Sequence, residues 1–240
     1  MRALRVLLIV VVVLGVLFVV ADRVAVHFAE GRAADEVRSA EHLSSTPDVS
    51  INGFPFLTQL AGDELDDVEV AIKNYEADTG DGGGKIRIDD LKADLKGVEF
   101  SGDYSSATAA GATGTALISY DELLKTAKST PTDIGFGLKA QVVGLSDGGN
   151  GKIRLAVKVA SFPVIHVLSS LDVRGDKVRV TADGLPKLAG LALAEGRMRT
   201  ITDFQQAIDR LPGGIKLDSV RAAKDGVEIT VKGSHVRLAG

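Results

Sequence analysis

Carboxylates are the side chains in this sequence whose spacing comes closest to a catalytic arrangement. Asp63-Glu64 and Asp66-Asp67 precede a predicted strand, and a second acidic group lies along another strand at Asp89, Asp90 and Asp94. Two carboxylates that converge in a pocket can act as general acid and general base. Because an acidic run beside a strand is usually a solvated turn, we predict that the protein is not an enzyme. The alternative to this prediction is a hydrolase or transferase that uses Asp89, Asp90 and Asp94.

Histidines and cysteines are the usual ligands of transition metals, and neither is arranged for that role here. The chain has no cysteine, which also excludes disulfides and a cysteine nucleophile. No two histidines stand at ligand spacing, since the four are dispersed at His27, His42, His166 and His235. We therefore predict no metal site and no cofactor.

Two glycine-rich stretches superficially resemble ligand-binding loops. Gly80–Lys85 lacks the spacing of a phosphate loop, and a predicted strand follows it where a helix would be required. Asp147–Gly151 lacks the acidic ligands and the distal glutamate of a calcium loop. Gly, Asn and Asp supply the positive φ of tight turns, so both stretches are typical of β-hairpins.

Charge and composition narrow the classes of partner. The formal net charge is -4, with acidic and basic residues interspersed. The chain therefore lacks the clustered positive charge of a nucleic-acid-binding protein, and we expect no nucleic-acid partner. Hydrophobic residues make up 45% of the chain but aromatic residues only 5%. The apolar content is therefore chiefly aliphatic.

An apolar run at Val6–Ala21 follows two basic residues, Arg2 and Arg5. The run exceeds the roughly 7 to 15 apolar residues of a signal peptide and is close to the length of a membrane span. We favour an uncleaved anchor at residues 1–22, with a cleaved signal sequence as the alternative. Since basic flanks stay in the cytoplasm, the single domain expected at residues 23–240 would lie on the extracytoplasmic side, tethered to the cell membrane or secreted if the leader is cleaved.

The hydrophobic period changes along the rest of the chain. Arg23–Glu41 has apolar residues at steps of three and four, which is typical of an amphipathic helix. From Asp48 onward apolar and polar residues alternate, as in Ile153–Val159, and this predicts antiparallel strands with one apolar face. Shorter helices are predicted at Tyr120–Ala127, Leu185–Met198 and Thr202–Arg210.

The uncharged stretch Ser50–Gly62 places two phenylalanines around a proline, at Phe54-Pro55-Phe56. The simpler interpretation is a strand end and a turn whose large side chains belong to the core. The functional interpretation is an apolar lip that enters a bilayer or admits an acyl chain. The candidate lipid-binding residues come from this stretch and from the apolar face of the preceding helix: Phe54, Phe56, Leu57, Leu60, Val26 and Val37.

The succession of apolar run, amphipathic helix, Asp48–Leu60 and Val68-Glu69-Val70 resembles the LmeA-like phospholipid-binding family of actinobacterial cell envelopes. Leu91–Val98, Gly114–Leu123 and Leu211–Gly233 agree with that resemblance. It implies an α+β fold in which a curved antiparallel β-sheet wraps around a long helix, as in tubular lipid-binding domains.

The resemblance also implies a function. The expected protein is extracytoplasmic and membrane-anchored, binds phospholipid or another acyl lipid, and transports or handles lipid in cell-envelope biogenesis. The alternative function is a membrane-anchored structural or protein-interaction β-domain without a lipid cavity.

Overall fold

The computed structural model describes residues 2–78, 85–102, 106–126, 131–135, 137–160, 162–184, 199, 202–207 and 214–239. The helices and strands follow one another in this order: α1 (Arg2–Ala40), β1 (Asp48–Asn52), α2 (Phe56–Ala61), β2 (Glu64–Asp78), β3 (Lys85–Phe100), β4 (Ala107–Ser119), α3 (Tyr120–Thr126), β5 (Thr132–Gly135), β6 (Leu138–Gly149), β7 (Lys152–Val159), β8 (Ile165–Arg174), β9 (Lys177–Ala182), β10 (Phe204–Ala207), β11 (Ile215–Ala222) and β12 (Gly226–Ala239).

Within the described residues these strands form two six-stranded sheets. The orders are β1-β2-β3-β4-β12-β11 and β10-β9-β8-β7-β6-β5. The sheets are mostly antiparallel and include a curled half-barrel sheet. The α+β class, the long N-terminal helix and the antiparallel pairing are thus confirmed.

Strand β7 illustrates why this sequence forms a sheet. Ile153, Leu155, Val157 and Val159 are buried, while Arg154 and Lys158 between them are exposed. Successive side chains of a strand point to opposite faces, so this alternation gives one apolar and one wet face. The β6–β7 turn has positive φ at Gly149, Asn150 and Gly151, as the hairpin interpretation of Asp147–Gly151 predicts.

Helix α1 continues without interruption from the apolar run into the amphipathic segment. Gly31 weakens a helix by about 1 kcal/mol relative to Ala, which is too little to break one of this length. Among the described residues, α1 packs against β1 and α2.

Of the shorter helices, Tyr120–Thr126 is confirmed as α3. The helix predicted at Thr202–Arg210 is wrong, because Phe204–Ala207 forms strand β10 and pairs with β9, Phe204 opposite Val180. Strand pairing over a few residues outweighs a local helix-start signal. The helix predicted at Leu185–Met198 lies outside the described residues.

The chain divides into two compact units. Unit 1 comprises residues 1–72, 92–112 and 233–240, and its core contains Val26, Ile51, Phe56, Leu65, Val98, Ala107 and Ala109. Unit 2 comprises residues 73–91 and 113–232, with a core built mainly on β6 to β9, β11 and β12. The division falls inside strands, since β2, β3, β4 and β12 each contribute residues to both units. The single domain expected for residues 23–240 stays a prediction.

Candidate functional site

The first charged residue after the apolar run, Asp22, is completely buried. Its Oδ1 atom accepts a hydrogen bond of 2.8 Å from the backbone N–H of Leu57, and its carboxylate also accepts one from the N–H of Phe56. These are the first two residues of α2, whose N-cap Pro55 makes no side-chain cap bond. Six residues are too few for a helix to be stable alone. Asp22 therefore acts as the helix cap that Pro55 cannot provide.

Arg23 links the same carboxylate to the turn before α2. Its Nη2 atom lies 2.5 Å from Oδ2 of Asp22, and 3.5 Å from the carbonyl oxygen of Gly53. Its guanidinium carbon lies 5.2 Å from the centroid of the Phe54 ring, within the range of a cation–π contact. This contact holds the Phe54 side chain beside Arg23 of α1, and Phe54 is nevertheless 58% exposed.

A second polar contact fixes α1 to the first strand. Oε1 of Glu30 accepts a hydrogen bond of 3.0 Å from the backbone N–H of Ile51. Asp22 and Glu30 stand eight residues apart on α1, about two turns. The helix is therefore attached at two levels, once to β1 and once to α2.

The six candidate lipid-binding residues lie in different environments. Val26 and Phe56 are buried in the core of unit 1, and Leu57 packs against that core while partly exposed. Val37 is half-buried on α1. Phe54 and Leu60 are exposed, Leu60 by 38%. The structure thus brings Val26, Phe56 and Leu57 together and leaves Phe54 and Leu60 on the surface.

Helix α1 is long and apolar enough to cross a membrane, and none of its most apolar segment is buried in the protein. A signal sequence near an N-terminus has the same properties, so both alternatives for residues 1–22 remain open. The exposed apolar side chains do not stop at Ala21. Val24 is 58% exposed and Phe28 is 71% exposed.

An acidic cluster lies elsewhere in unit 1. One carboxylate oxygen from each of Asp67, Glu69 and Asp94 lies within 4.8 Å of the other two. Nζ of Lys96 is 2.8 Å from Asp67 and 3.5 Å from Asp94. The hydrogen bond to Asp67 raises the pKa of Lys96, and the charges of Asp67 and Asp94 add to the effect, against partial desolvation. Three carboxylates suit a hard cation, but here the lysine ammonium already lies among them.

Sequence reasoning missed three features of these sites. Asp22 was expected only to end the apolar run, and its cap to α2 spans 35 residues, which no local pattern predicts. Asp66-Asp67 was expected in a turn, yet both residues lie in β2. The i, i+2 spacing of Asp67 and Glu69 could have indicated one strand face. Of the group at Asp89, Asp90 and Asp94, only Asp94 joins the cluster, and Asp89 instead pairs with Arg87 at 3.2 Å.

Neither the curated proteins nor the solved structures contain a relative of this chain that meets the threshold of significance. A family model, described as LmeA-like phospholipid-binding, matches residues 20–232 of the 240. The matched range begins just before Asp22 and includes every candidate residue named above. Because the match covers most of its length, the chain belongs to the LmeA-like phospholipid-binding family.

Proposed function

We propose that this protein is anchored in the cytoplasmic membrane by α1 and binds phospholipid on the extracytoplasmic side, where it transports or handles lipid in cell-envelope biogenesis. The observation that carries the proposal is the family match over residues 20–232. An actinobacterial envelope is the setting that the resemblance suggests.

The orientation rests on the charges beside the apolar run. Arg2 and Arg5 precede it, and basic residues are retained on the cytoplasmic side of membrane spans. With that orientation, all residues after Ala21 are extracytoplasmic. Retention of α1 as an anchor is part of the proposal.

Lipid binding requires apolar contact and no catalytic group. Each acyl methylene removed from water contributes about 0.8 kcal/mol. In the proposed arrangement the curled sheet encloses part of α1 in the manner of a tubular lipid-binding domain. Partly buried apolar residues such as Leu57 and Val37 then contact the acyl chains. We accordingly propose that the protein is not an enzyme.

A second candidate function is a membrane-anchored protein-interaction domain. It is favoured by large apolar side chains that unit 2 exposes at Val143, Phe162, Val164 and Leu168. Such residues are compatible with a protein partner as well as with lipid.

A transfer assay tests the proposal against this alternative. The full chain is reconstituted into donor vesicles that contain radiolabelled phospholipid, and the label is counted in acceptor vesicles of higher density. Transport predicts a transfer rate that rises with the amount of protein. A rate equal to that of protein-free donors would contradict transport.

Protease digestion of intact spheroplasts tests the orientation, since residues 23–240 should be cleaved without lysis.

A further inference from the structure

The apolar run is short for the bilayer it is expected to cross. At about 1.5 Å per residue, Val6–Ala21 is about 24 Å long, whereas a hydrocarbon core is about 30 Å thick. A shorter span is accommodated by bilayer thinning, by snorkelling of flanking residues or by oligomerisation, each at a cost that grows with the mismatch. Apolar surface next to the span reduces that mismatch. The structure provides such surface immediately after Ala21.

The two charges that end the run are paired with each other. The carboxylate of Asp22 is buried and accepts backbone hydrogen bonds from α2, and the guanidinium of Arg23 contacts both Asp22 and the face of the Phe54 ring. A charge that is paired and hydrogen-bonded is less costly to bring near hydrocarbon than a free one. The membrane-facing surface can therefore extend beyond Ala21, past the pair formed by Asp22 and Arg23.

Exposed apolar side chains continue along α1 past this pair. Val20, Val24 and Phe28 follow one another at steps of four residues along α1, so they continue one exposed face of the helix. Phe28 lies about 9 Å beyond Asp22 along the axis, a rise that reaches the headgroup layer. Phe54 is distant from these residues in the sequence, but its contact with Arg23 places its ring near the same end of the apolar run.

We propose that Val24, Phe28 and Phe54 form a collar around the exposed end of the membrane span and contact the bilayer surface at the boundary between headgroups and acyl chains. Phenylalanine is among the side chains that the apolar face of an interfacial helix places at that depth. In this role Asp22 is a positioning residue, because its bonds to α2 hold the turn that carries Phe54. The proposal rests on retention of α1 as an anchor, which is part of the proposed function.

Depth-dependent quenching tests the collar directly. The chain has no cysteine, so Phe28→Cys, Phe54→Cys and Ser39→Cys each provide a single labelling site. Each full-length variant is labelled with a nitrobenzoxadiazole dye and reconstituted into phosphatidylethanolamine and phosphatidylglycerol vesicles that contain a lipid with a spin label near the headgroup. Ser39 is the matched control, since it is exposed on the same helix and lies about 16 Å beyond Phe28 along the axis, away from the apolar run.

The collar predicts severalfold stronger quenching at positions 28 and 54 than at position 39. Quenching at 28 and 54 as weak as at 39, or equally strong at all three positions, would overturn it. Adding Asp22→Ala should weaken the quenching of the Phe54→Cys variant, whereas the same addition to the Phe28→Cys variant should leave its quenching unchanged. Unchanged quenching at 54 would contradict the positioning role of Asp22.

Two further readings separate this inference from the proposed function. Intact mass of the membrane-bound protein should include residues 2–21, and their loss would overturn the collar. Phospholipid retained by the same preparations after detergent washing reports on lipid binding alone. Retained phospholipid with no quenching difference would overturn the collar and leave the proposed function in place, whereas the reverse result would support the collar and contradict lipid binding.

Discussion

The carboxylate of Asp22 accepts a hydrogen bond of 2.8 Å from the backbone N–H of Leu57, 35 residues further along the chain. This bond joins the last turn of the apolar segment to the short helix that follows β1. The end of the apolar segment is thereby attached to the core of unit 1, which contains Val26 and Phe56. The position of that core relative to the end of the apolar segment follows from this attachment.

Replacing Asp22 tests the attachment. Asp22→Ala removes the acceptor for two backbone N–H groups of α2, and Tm should fall by about 2 to 4 °C, the shift expected of a lost helix cap in a chain of this size. Asp22→Asn retains an oxygen acceptor and should recover most of the loss. Thermal unfolding of the full chain in detergent, followed by circular dichroism, measures both. Asp35→Ala, an exposed position on the same helix, is the control, and an equal effect there would contradict the cap.

The two phenylalanines around Pro55 should differ in their effect on stability. Phe56 is only 3% exposed, so Phe56→Ala should lower the free energy of unfolding by about 3 to 5 kcal/mol. Phe54→Ala removes an exposed ring and its contact with Arg23, and should cost no more than about 1 kcal/mol. Urea unfolding of the two variants measures the difference. A similar loss of unfolding free energy in both variants would indicate that Phe54 is a core residue and would contradict its place in the collar.

The acidic cluster in unit 1 should not respond to calcium. Lys96 already contacts Asp67 and Asp94, so calcium at about 1 mM, the range of weak extracellular sites, should leave Tm unchanged. Lys96→Met leaves three close carboxylates without their cation and should lower Tm, and calcium should then restore part of the loss. A rise in the Tm of the unsubstituted protein with calcium would contradict this interpretation and the prediction that the chain has no metal site.

Asp183 gives unit 2 a predictable dependence on pH. Its carboxylate accepts hydrogen bonds from Nζ of Lys152 at 2.7 Å and from the hydroxyl of Ser170 at 2.5 Å, and these bonds lower the pKa of Asp183. A carboxyl whose pKa is lower in the folded state contributes stability above its unfolded pKa, and that contribution is lost as the pH falls. Because the pair is partly exposed, the contribution should be roughly 0.2 to 1 kcal/mol.

The measurement compares the free energy of unfolding of the unsubstituted protein and Asp183→Asn. The difference should be present near neutral pH and should diminish between about pH 5 and pH 2. A difference that is constant over this range would show that the charge of Asp183 is not responsible.

Repeating patterns in the sequence predicted much of the fold. The alternation at Ile153–Val159 gave the buried and exposed faces of β7, because a strand has a period of two that few other structures share. The apolar run and the amphipathic segment predicted the two halves of α1. The helix prediction at Thr202–Arg210 was wrong because it relied on a helix-start signal of only a few residues. The pairing of Phe204–Ala207 with β9 depends on a distant part of the chain, which that signal does not include.

The site was less predictable because it depends on contacts between distant segments. Sequence composition selected the stretch around Phe54 and Phe56, but not which ring is buried. That outcome depends on the turn that places Phe54 over Arg23 and on the core that surrounds Phe56. The burial of Asp22 could not be inferred either, since an acidic residue after an apolar run ordinarily faces water.

The most direct test of the central claim is the phospholipid content of the purified protein. The full chain and residues 20–240, a form that keeps Asp22 and its bond to α2, are purified in detergent, washed to remove lipid that merely surrounds α1, and analysed by native mass spectrometry and lipid extraction. Lipid binding predicts a stoichiometric amount of phospholipid on both forms, because the apolar contacts proposed for the acyl chains lie after residue 22. Repeated absence of phospholipid from both forms, at full folded yield, would contradict it.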